Sequence, residues 1–256
     1  MSVIKSCMIA FSMYSKIPMP QFPWKDKDMR YVMLFFPWVG MVIGGFTLLW
    51  TWAAARLGCG NVCFALVGTA LPVLISGGIH VDGFMDTMDA FHSYQEKEKK
   101  LEILKDSHIG AFSVISLLVY YLIYVAAYLQ LDRWGMVMIL AAGFYLSRIF
   151  SALGVVSLKC AKQDGLVYLF SDKAQEWTVR IGLILQLILC AAFILWQSLL
   201  VGSAVLLGAL LTFVYYWYRS YRELDGITGD TAGYFVVLCE GIIVVILAVF
   251  TRILGG

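Results

Sequence analysis

Asp82, Asp86 and Asp89 are the residues of this chain best suited to chemistry. Successive residues of an α-helix are rotated by about 100°, so a helix here places the three carboxylates within about 60° of one another, on one face. Grouped carboxylates repel and raise one another's pKa unless a cation lies between them. The spacing therefore predicts a divalent metal site, in which Mg²⁺ binds a substrate phosphate. The alternative is a solvated helix end with acids in its first turn.

A second acidic segment precedes the last apolar run and contains Asp225, Gly226, Thr228, Gly229 and Asp230. Its glycines can turn backbone N–H groups toward an anion, and its aspartates can hold a cation. This combination is what a phosphate-handling site requires. The same residue types also form ordinary turns and helix N-caps, so that alternative stays open for this segment.

The elements that must position these residues are membrane helices. The 256 residues are 61% hydrophobic and 14% charged, with a mean hydropathy of +0.82, which predicts an all-α polytopic membrane protein. No linker divides the chain, so we expect a single integral membrane domain, 1–256. About seven apolar runs are long enough to cross a bilayer, at 31–56, 61–81, 109–129, 135–158, 178–196, 199–218 and 232–253.

Local sequence features refine this plan. Pro72 and the pair Gly77-Gly78 predict a kink or an unwound turn near the end of the second span. Gly40 and Gly44 form a GxxxG face that lets helices approach closely. Residues 1–23 lack the features of a signal peptide and predict a short N-terminal helix, either interfacial or re-entrant.

Basic residues segregate to one side of these spans, which the positive-inside rule identifies as cytoplasmic. Nearly every acid lies on the same side, so we expect the active site to face the cytoplasm. The formal net charge of +2 gives no reason to expect a nucleic acid partner. The basic residues assigned to the cytoplasmic side are Lys5, Lys16, Lys25, Lys27, Arg30, Lys97, Lys99, Lys100, Lys105, Lys159, Lys162, Lys173, Arg180, Arg219 and Arg222, against Arg56, Arg133 and Arg252 on the other.

Arg148 and Glu240 are ionisable residues within predicted spans. Such residues are costly in hydrocarbon, so they face a polar cavity or each other. Two roles stay open. They form a structural pair, or Arg148 binds a phosphate, for which its forked donors are suited.

Residues 77–90 read Gly-Gly-Ile-His-Val-Asp-Gly-Phe-Met-Asp-Thr-Met-Asp-Ala. This segment resembles the signature of the cobalamin synthase family, approximately Gly-Gly-Leu-His-x-Asp-Gly-Leu-x-Asp-x-x-Asp-Gly. The resemblance continues through residues 105–111, 147–148, 161–166 and 228–240, and so covers essentially the whole chain. Ala90, Asp225 and Val237 depart from the family pattern.

The resemblance implies an enzyme of the prokaryotic cytoplasmic membrane that joins adenosylcobinamide-GDP to alpha-ribazole or its 5′-phosphate and releases GMP. It implies Mg²⁺ as cofactor, with Asp82, Asp86, Asp89 and Asp230 as catalytic and metal-binding residues. His80 is either the general base or a hydrogen-bonding residue at an unwound helix end. The residues expected to bind substrate are Asp106, Arg148, Asp225, Gly226, Thr228, Gly229 and Glu240.

Three other classes compete with this interpretation. CDP-alcohol phosphotransferases and membrane prenyltransferases also place spaced aspartates at a membrane surface, but this chain lacks the Ala-Arg of the former and the paired aspartate boxes of the latter. A secondary transporter would use Asp82, Arg148 and Glu240 as a cation pathway. Against it, the acids cluster at one face and no inverted repeat is visible.

Overall fold

The computed structural model describes residues 2–131, 134–162, 170 and 176–255. Within these ranges, six helices are long and apolar enough to cross a membrane, or seven if the bent pair α4 and α5 counts as one span. The prediction of an all-α polytopic membrane protein is confirmed. Arg133 and Lys173 lie outside the described residues. The helices are α1 (Ser2–Tyr14), α2 (Asp26–Met29), α3 (Val32–Leu57), α4 (Asn61–Ser76), α5 (Ile79–His92), α6 (Lys97–Ile103), α7 (Ala111–Tyr128), α8 (Trp134–Ser157), α9 (Glu176–Gln197), α10 (Leu199–Leu224) and α11 (Gly229–Gly255).

Helices α3 and α8 pack most closely because glycines line their contact. A Cβ atom at Gly44 would lie 2.5 Å from the carbonyl oxygen of Ala141, and one at Gly40 would clash with the carbonyl of Phe144. The close approach predicted from the GxxxG pattern is therefore confirmed, and it is a packing feature. Helix α8 lies in the core, with Phe144 and Ile149 fully buried.

The second predicted span breaks at Gly77-Gly78, as its sequence indicated. Both glycines have left-handed backbone conformations, with φ of 71° and 82°, which residues with a side chain rarely adopt. Helix α5 starts at the next residue and is bent by 93° relative to α4. The amide of Asp82 donates to the carbonyl of Gly78 at 2.9 Å, so the second glycine also supplies the first helical acceptor of α5. The aspartate helix thus turns away from the span that precedes it.

The N-terminal helix α1 packs into the bundle. Ile9 and Ala10 are fully buried, and the ring centroid of Tyr14 lies 4.4 Å from that of Phe36 in α3. After α1 the chain passes beside the α4–α5 break, where the amide of Lys16 donates to the carbonyl of Ile75 at 2.8 Å. The N-terminal segment therefore supports the break from one side.

Candidate active site

The first turns of α5 and α11 meet with almost no space between their backbones. A Cβ atom at Gly83 would lie 2.8 Å from the carbonyl oxygen of Asp230, and one at Gly233 would lie 3.3 Å from the backbone of His80. Only glycine allows this approach at position 83. The contact places the acids of the two predicted segments at one site, although they are far apart in the sequence.

The carboxylates of Asp82, Asp86 and Asp230 are close enough to influence one another electrostatically. Asp82 is exposed, whereas Asp86 and Asp230 are half-buried. Helix α5 follows the break, and its acids lie beyond the span predicted at 61–81. There, partial burial raises the pKa of Asp86 to about 6, and the neighbouring charges of Asp82, Asp230 and Asp89 add to this. The site therefore concentrates negative charge.

The described residues contain no group of three His, Cys, Asp or Glu side chains that could together hold a metal ion. Asp82 and Asp89 are seven residues apart, which is about 10 Å along a helix axis at roughly 1.5 Å per residue. Mg²⁺ commonly takes only one or two carboxylates together with substrate phosphates. The metal site predicted from the sequence therefore stays a prediction. Four aspartates were expected to bind the metal, and the geometry allows fewer of them to bind it together.

Asp89 has a structural task that the sequence did not indicate. Its Oδ2 atom accepts a hydrogen bond from the amide of Gly110 at 2.8 Å, and its Oδ1 atom accepts one from the amide of Ser113 at 2.9 Å. These amides lie at the start of α7, whose N-cap residue Gly110 has no side chain to cap it. Asp89 therefore caps a neighbouring helix and fixes α7 against α5.

Thr228 and Gly229 form the start of α11. The amide of Thr228 donates to the hydroxyl of Thr231 at 2.9 Å, and the amide of Thr231 donates to the hydroxyl of Thr228 at 3.2 Å. This reciprocal pair satisfies backbone donors at the helix start. Thr228 is therefore a helix N-cap, which is one of the two roles considered for this segment. The cap orients Asp230 in the first turn.

Asp225 and Gly226 connect α10 to this cap. Asp225 has a left-handed φ of 60° at the C-cap of α10, a conformation that favours glycine and that Asp tolerates better than most residues. A Cβ atom at Gly226 would lie 2.6 Å from the amide nitrogen of Ala161, so glycine is needed for the short bridge between Cys160 and Ile227.

Basic side chains from the neighbouring segments surround these acids. Lys97 of α6 forms an ion pair with Asp225, and this hydrogen bond lowers the pKa of Asp225. Lys162 lies within electrostatic range of Asp230 and donates to the carbonyl of Leu101 at 2.7 Å. The segments that carry Lys97, Lys162 and Asp225 therefore meet at one end of the bundle, and Lys162 supplies a cation near the acids.

One ion pair that the sequence analysis missed holds α6 in place. The Nζ atom of Lys100 lies 2.6 Å from Oε2 of Glu223, and both side chains are largely buried. No local sequence pattern pairs a residue of α6 with the end of α10. The pair anchors α6, which begins at Lys97, to the end of α10, next to Asp225.

Asp106, predicted to bind substrate, is exposed in the loop after α6. Its Oδ1 atom accepts hydrogen bonds from the amide of His108 at 3.0 Å and from its ring Nδ1 at 2.5 Å. These bonds lower the pKa of Asp106 and raise that of His108. Both side chains are exposed, so the described contacts of Asp106 are those of a surface turn.

His80 does not face the carboxylates. Its ring is buried between Tyr14 and Phe36, with centroids 6.0 and 5.5 Å away. It lines an interior cavity that Arg148 also lines. Of the two roles considered for His80, this placement favours a hydrogen-bonding residue at the helix break over a general base.

Arg148 and Glu240 form a buried pair. The Nη1 atom of Arg148 donates to Oε1 of Glu240 at 2.5 Å, and also to the carbonyl of Phe144 and the hydroxyl of Ser147. The two side chains are 1% and 8% exposed. Glu240 is ten residues beyond Asp230, about 15 Å along the helix axis at roughly 1.5 Å per residue. The geometry therefore supports the structural pair, and the phosphate role of Arg148 stays a prediction.

Comparisons with known proteins agree with the signature in residues 77–90. The adenosylcobinamide-GDP ribazoletransferase of Lachnoclostridium phytofermentans is 44% identical over 240 residues, which cover 94% of this chain and 92% of the relative. The protein of the same name from Clostridium perfringens (strain ATCC 13124) is 32% identical, covering 92% of this chain and 94% of the relative. The one from Listeria monocytogenes is 28% identical over 249 residues, covering 90% of this chain and 92% of the relative.

No solved structure matches the chain. The family model described as cobalamin-5-phosphate synthase matches residues 6–248, which include both acidic segments, the helix break and the buried pair. This match does not favour the transporter or the two other enzyme classes. The chain belongs to the cobalamin-5-phosphate synthase family.

Proposed function

We propose that this protein is an adenosylcobinamide-GDP ribazoletransferase that works at the cytoplasmic surface of the cell membrane. The observation that carries the proposal is the contact between Gly83 and Asp230, which brings two acidic segments to one site in a chain of this family. The relatives that bear this name align over nearly the whole chain, including both segments. The substrates are adenosylcobinamide-GDP and alpha-ribazole or its 5′-phosphate.

In the proposed reaction, a ribazole hydroxyl attacks the corrinoid-side phosphorus of the pyrophosphate. A new P–O bond joins corrinoid phosphate and ribazole, the bridging P–O bond breaks, GMP leaves with the bridging oxygen, and the hydroxyl proton is released. Negative charge builds on the departing GMP, so cations must stabilise it. Among the described residues, Lys162 places a positive charge near Asp230. We propose that this charge stabilises the phosphate of the departing GMP.

The donor set fits Mg²⁺, since Asp82, Asp86 and Asp230 offer the carboxylate oxygens that this ion prefers. We propose that Asp82 and Asp230, one from each acidic segment, would hold Mg²⁺ together with the pyrophosphate. The ion would neutralise charge on the pyrophosphate and the leaving group. Asp89 supports the site by capping α7, and Thr228 supports it by capping α11.

The test is a product assay. Purified protein with adenosylcobinamide-GDP, alpha-ribazole and Mg²⁺ should release GMP and form a corrinoid that carries its lower nucleotide. Asp82→Asn and Asp230→Asn should each reduce turnover by at least about a hundredfold, because a lost ligand charge removes roughly 3 kcal/mol of transition-state stabilisation. Asp26→Asn is the matched control, since Asp26 is exposed in α2 and should tolerate the change.

Full activity of the Asp82→Asn and Asp230→Asn variants would exclude this site. Proton-coupled uptake of a solute without GMP release would instead favour the transporter class. Parallel reactions with alpha-ribazole and its 5′-phosphate identify the preferred acceptor from the ratio of kcat/KM values.

A further inference from the structure

A small, partly open cavity lies between the helices of the bundle beneath the α4–α5 break. Side chains from α4, α5, α7, α8 and α11 line it, among them Thr69, His80, Tyr124, Arg148 and Glu240. It lies on the side of α5 that faces the Arg148–Glu240 pair, away from the acidic site. The proposed reaction makes no use of it.

Four of its lining residues carry buried polar atoms that have no hydrogen-bond partner among the residues that the structure describes. These atoms are Oγ1 of Thr69, Nε2 of His80, the hydroxyl of Tyr124 and Nε of Arg148. Each of the four residues is more than nine-tenths buried. A buried polar group without a partner is strongly disfavoured, so four around one cavity call for a ligand that both donates and accepts hydrogen bonds.

The size of the cavity selects the ligand. Its volume is about 20 Å³, and a cavity needs roughly 10–15 Å³ by this measure to hold one water molecule. It is too small for a phosphate or for any part of the corrinoid. The Arg148 guanidinium already has Glu240 as its counter-ion, so the cavity presents no unpaired charge that would call for an ion.

We propose that this cavity is a binding site for one ordered water molecule, which joins α4, α5, α7 and α8. The water accepts a hydrogen bond from Nε of Arg148 and shares the others with Thr69, Tyr124 and His80. It fixes the His80 ring and thereby the first turn of α5, directly before Asp82.

Two hydroxyl deletions distinguish a hydrated cavity from a dry one by the sign of their effect. In a dry cavity, Thr69→Val and Tyr124→Phe each remove an unsatisfied hydroxyl, which raises the melting temperature. In a hydrated cavity each removes a partner of the water and lowers the melting temperature, by about 2–4 °C for a chain of this size. We expect both variants to lower it, measured by tryptophan fluorescence of the full chain in detergent.

The double variant should lose less than the sum of the two single variants, because both hydroxyls bind the same water. Thr212→Val is the matched control, since its hydroxyl donates to the carbonyl of Gly208 in its own helix at 2.8 Å and should be replaceable with little effect. A structure at about 2 Å should show a density peak within hydrogen-bond distance of the Arg148 Nε atom.

A raised or unchanged melting temperature in Thr69→Val and Tyr124→Phe would overturn the proposal, as would a cavity without density at that resolution. If Thr69→Val does not fold, Tyr124→Phe alone decides the sign. None of these readouts depends on catalytic activity, so the failure of this proposal and of the proposed function can be told apart.

Discussion

Gly83→Ala is expected to separate activity from stability. The added methyl group would lie 2.8 Å from the carbonyl oxygen of Asp230 and 2.9 Å from its Cα atom, both in the backbone. Ordinary contact begins near 3.4 Å, so α5 and α11 must move apart by about 0.6 Å or more at this point. The carboxylates of Asp82 and Asp86 would move away from Asp230 by a similar amount.

The stability change should be small because two effects oppose each other. Overpacking costs about 1–3 kcal/mol, whereas alanine is favoured over glycine inside a helix by about 1 kcal/mol. The free energy of unfolding should therefore fall by about 0–2 kcal/mol. A misplacement approaching 1 Å can cost up to about a hundredfold in rate, so we expect turnover to fall by about tenfold to a hundredfold.

Two further glycines make a graded series with Gly83. A methyl group at Gly233 would lie 3.3 Å from the backbone of His80, which a shift of a few tenths of an ångström relieves, so Gly233→Ala should have a smaller effect. Gly45 in α3 has no heavy atom within 4 Å of the added group, and Gly45→Ala should retain full activity.

GMP release and thermal unfolding are measured on all three variants in the same detergent. Full turnover in Gly83→Ala would refute the argument that the close approach of α5 and α11 assembles the site. A loss of activity in Gly45→Ala equal to that in Gly83→Ala would refute it as well.

Three more predictions concern Asp89, the Arg148–Glu240 pair and the orientation of the chain in the membrane. Asp89→Ala should lower the free energy of unfolding by about 1–3 kcal/mol, because two amides of α7 lose their acceptor, and Asp89→Asn should cost less; lost turnover at unchanged stability would instead make Asp89 a metal ligand. Arg148→Gln should destabilise by about 3–5 kcal/mol by leaving Glu240 unpaired, and adding Glu240→Gln should restore stability in thermal unfolding; a double variant that regains stability but not activity would support a phosphate role for Arg148. A cysteine at Lys99, with the six native cysteines replaced, should react with an impermeant thiol reagent only from the cytoplasmic side, and labelling from outside would reverse the orientation.

The membrane helices could be predicted from the sequence because the requirement that sets them is local. A run of apolar residues must match the bilayer thickness, so the predicted span at 109–129 corresponds to α7 at Ala111–Tyr128. The break at Gly77-Gly78 was predictable for the same reason, since two adjacent glycines after a proline favour an unwound turn. Neither prediction needed contacts between distant residues.

The assembly of the site could be predicted only in part. The spacing of Asp82, Asp86 and Asp89 indicates a shared face, but it does not show that Asp89 meets the start of α7. That contact depends on the direction that α5 takes after its 93° bend from α4. The pairing of Asp86 with Asp230 likewise depends on tertiary packing at Gly83, and the sequence pattern alone does not reveal which glycine makes the close contact.

The Mg²⁺ dependence of GMP release tests the central claim most directly. Metal-free protein is titrated with Mg²⁺ at saturating adenosylcobinamide-GDP and alpha-ribazole, comparing the wild type with Asp82→Asn, Asp230→Asn and the control Asp26→Asn. The account predicts no turnover without Mg²⁺ and, for the two site variants, either lost turnover or a half-saturating concentration at least about tenfold higher, with the control unchanged. Turnover that persists in EDTA, or one Mg²⁺ curve shared by all four proteins at undiminished rate, would contradict it.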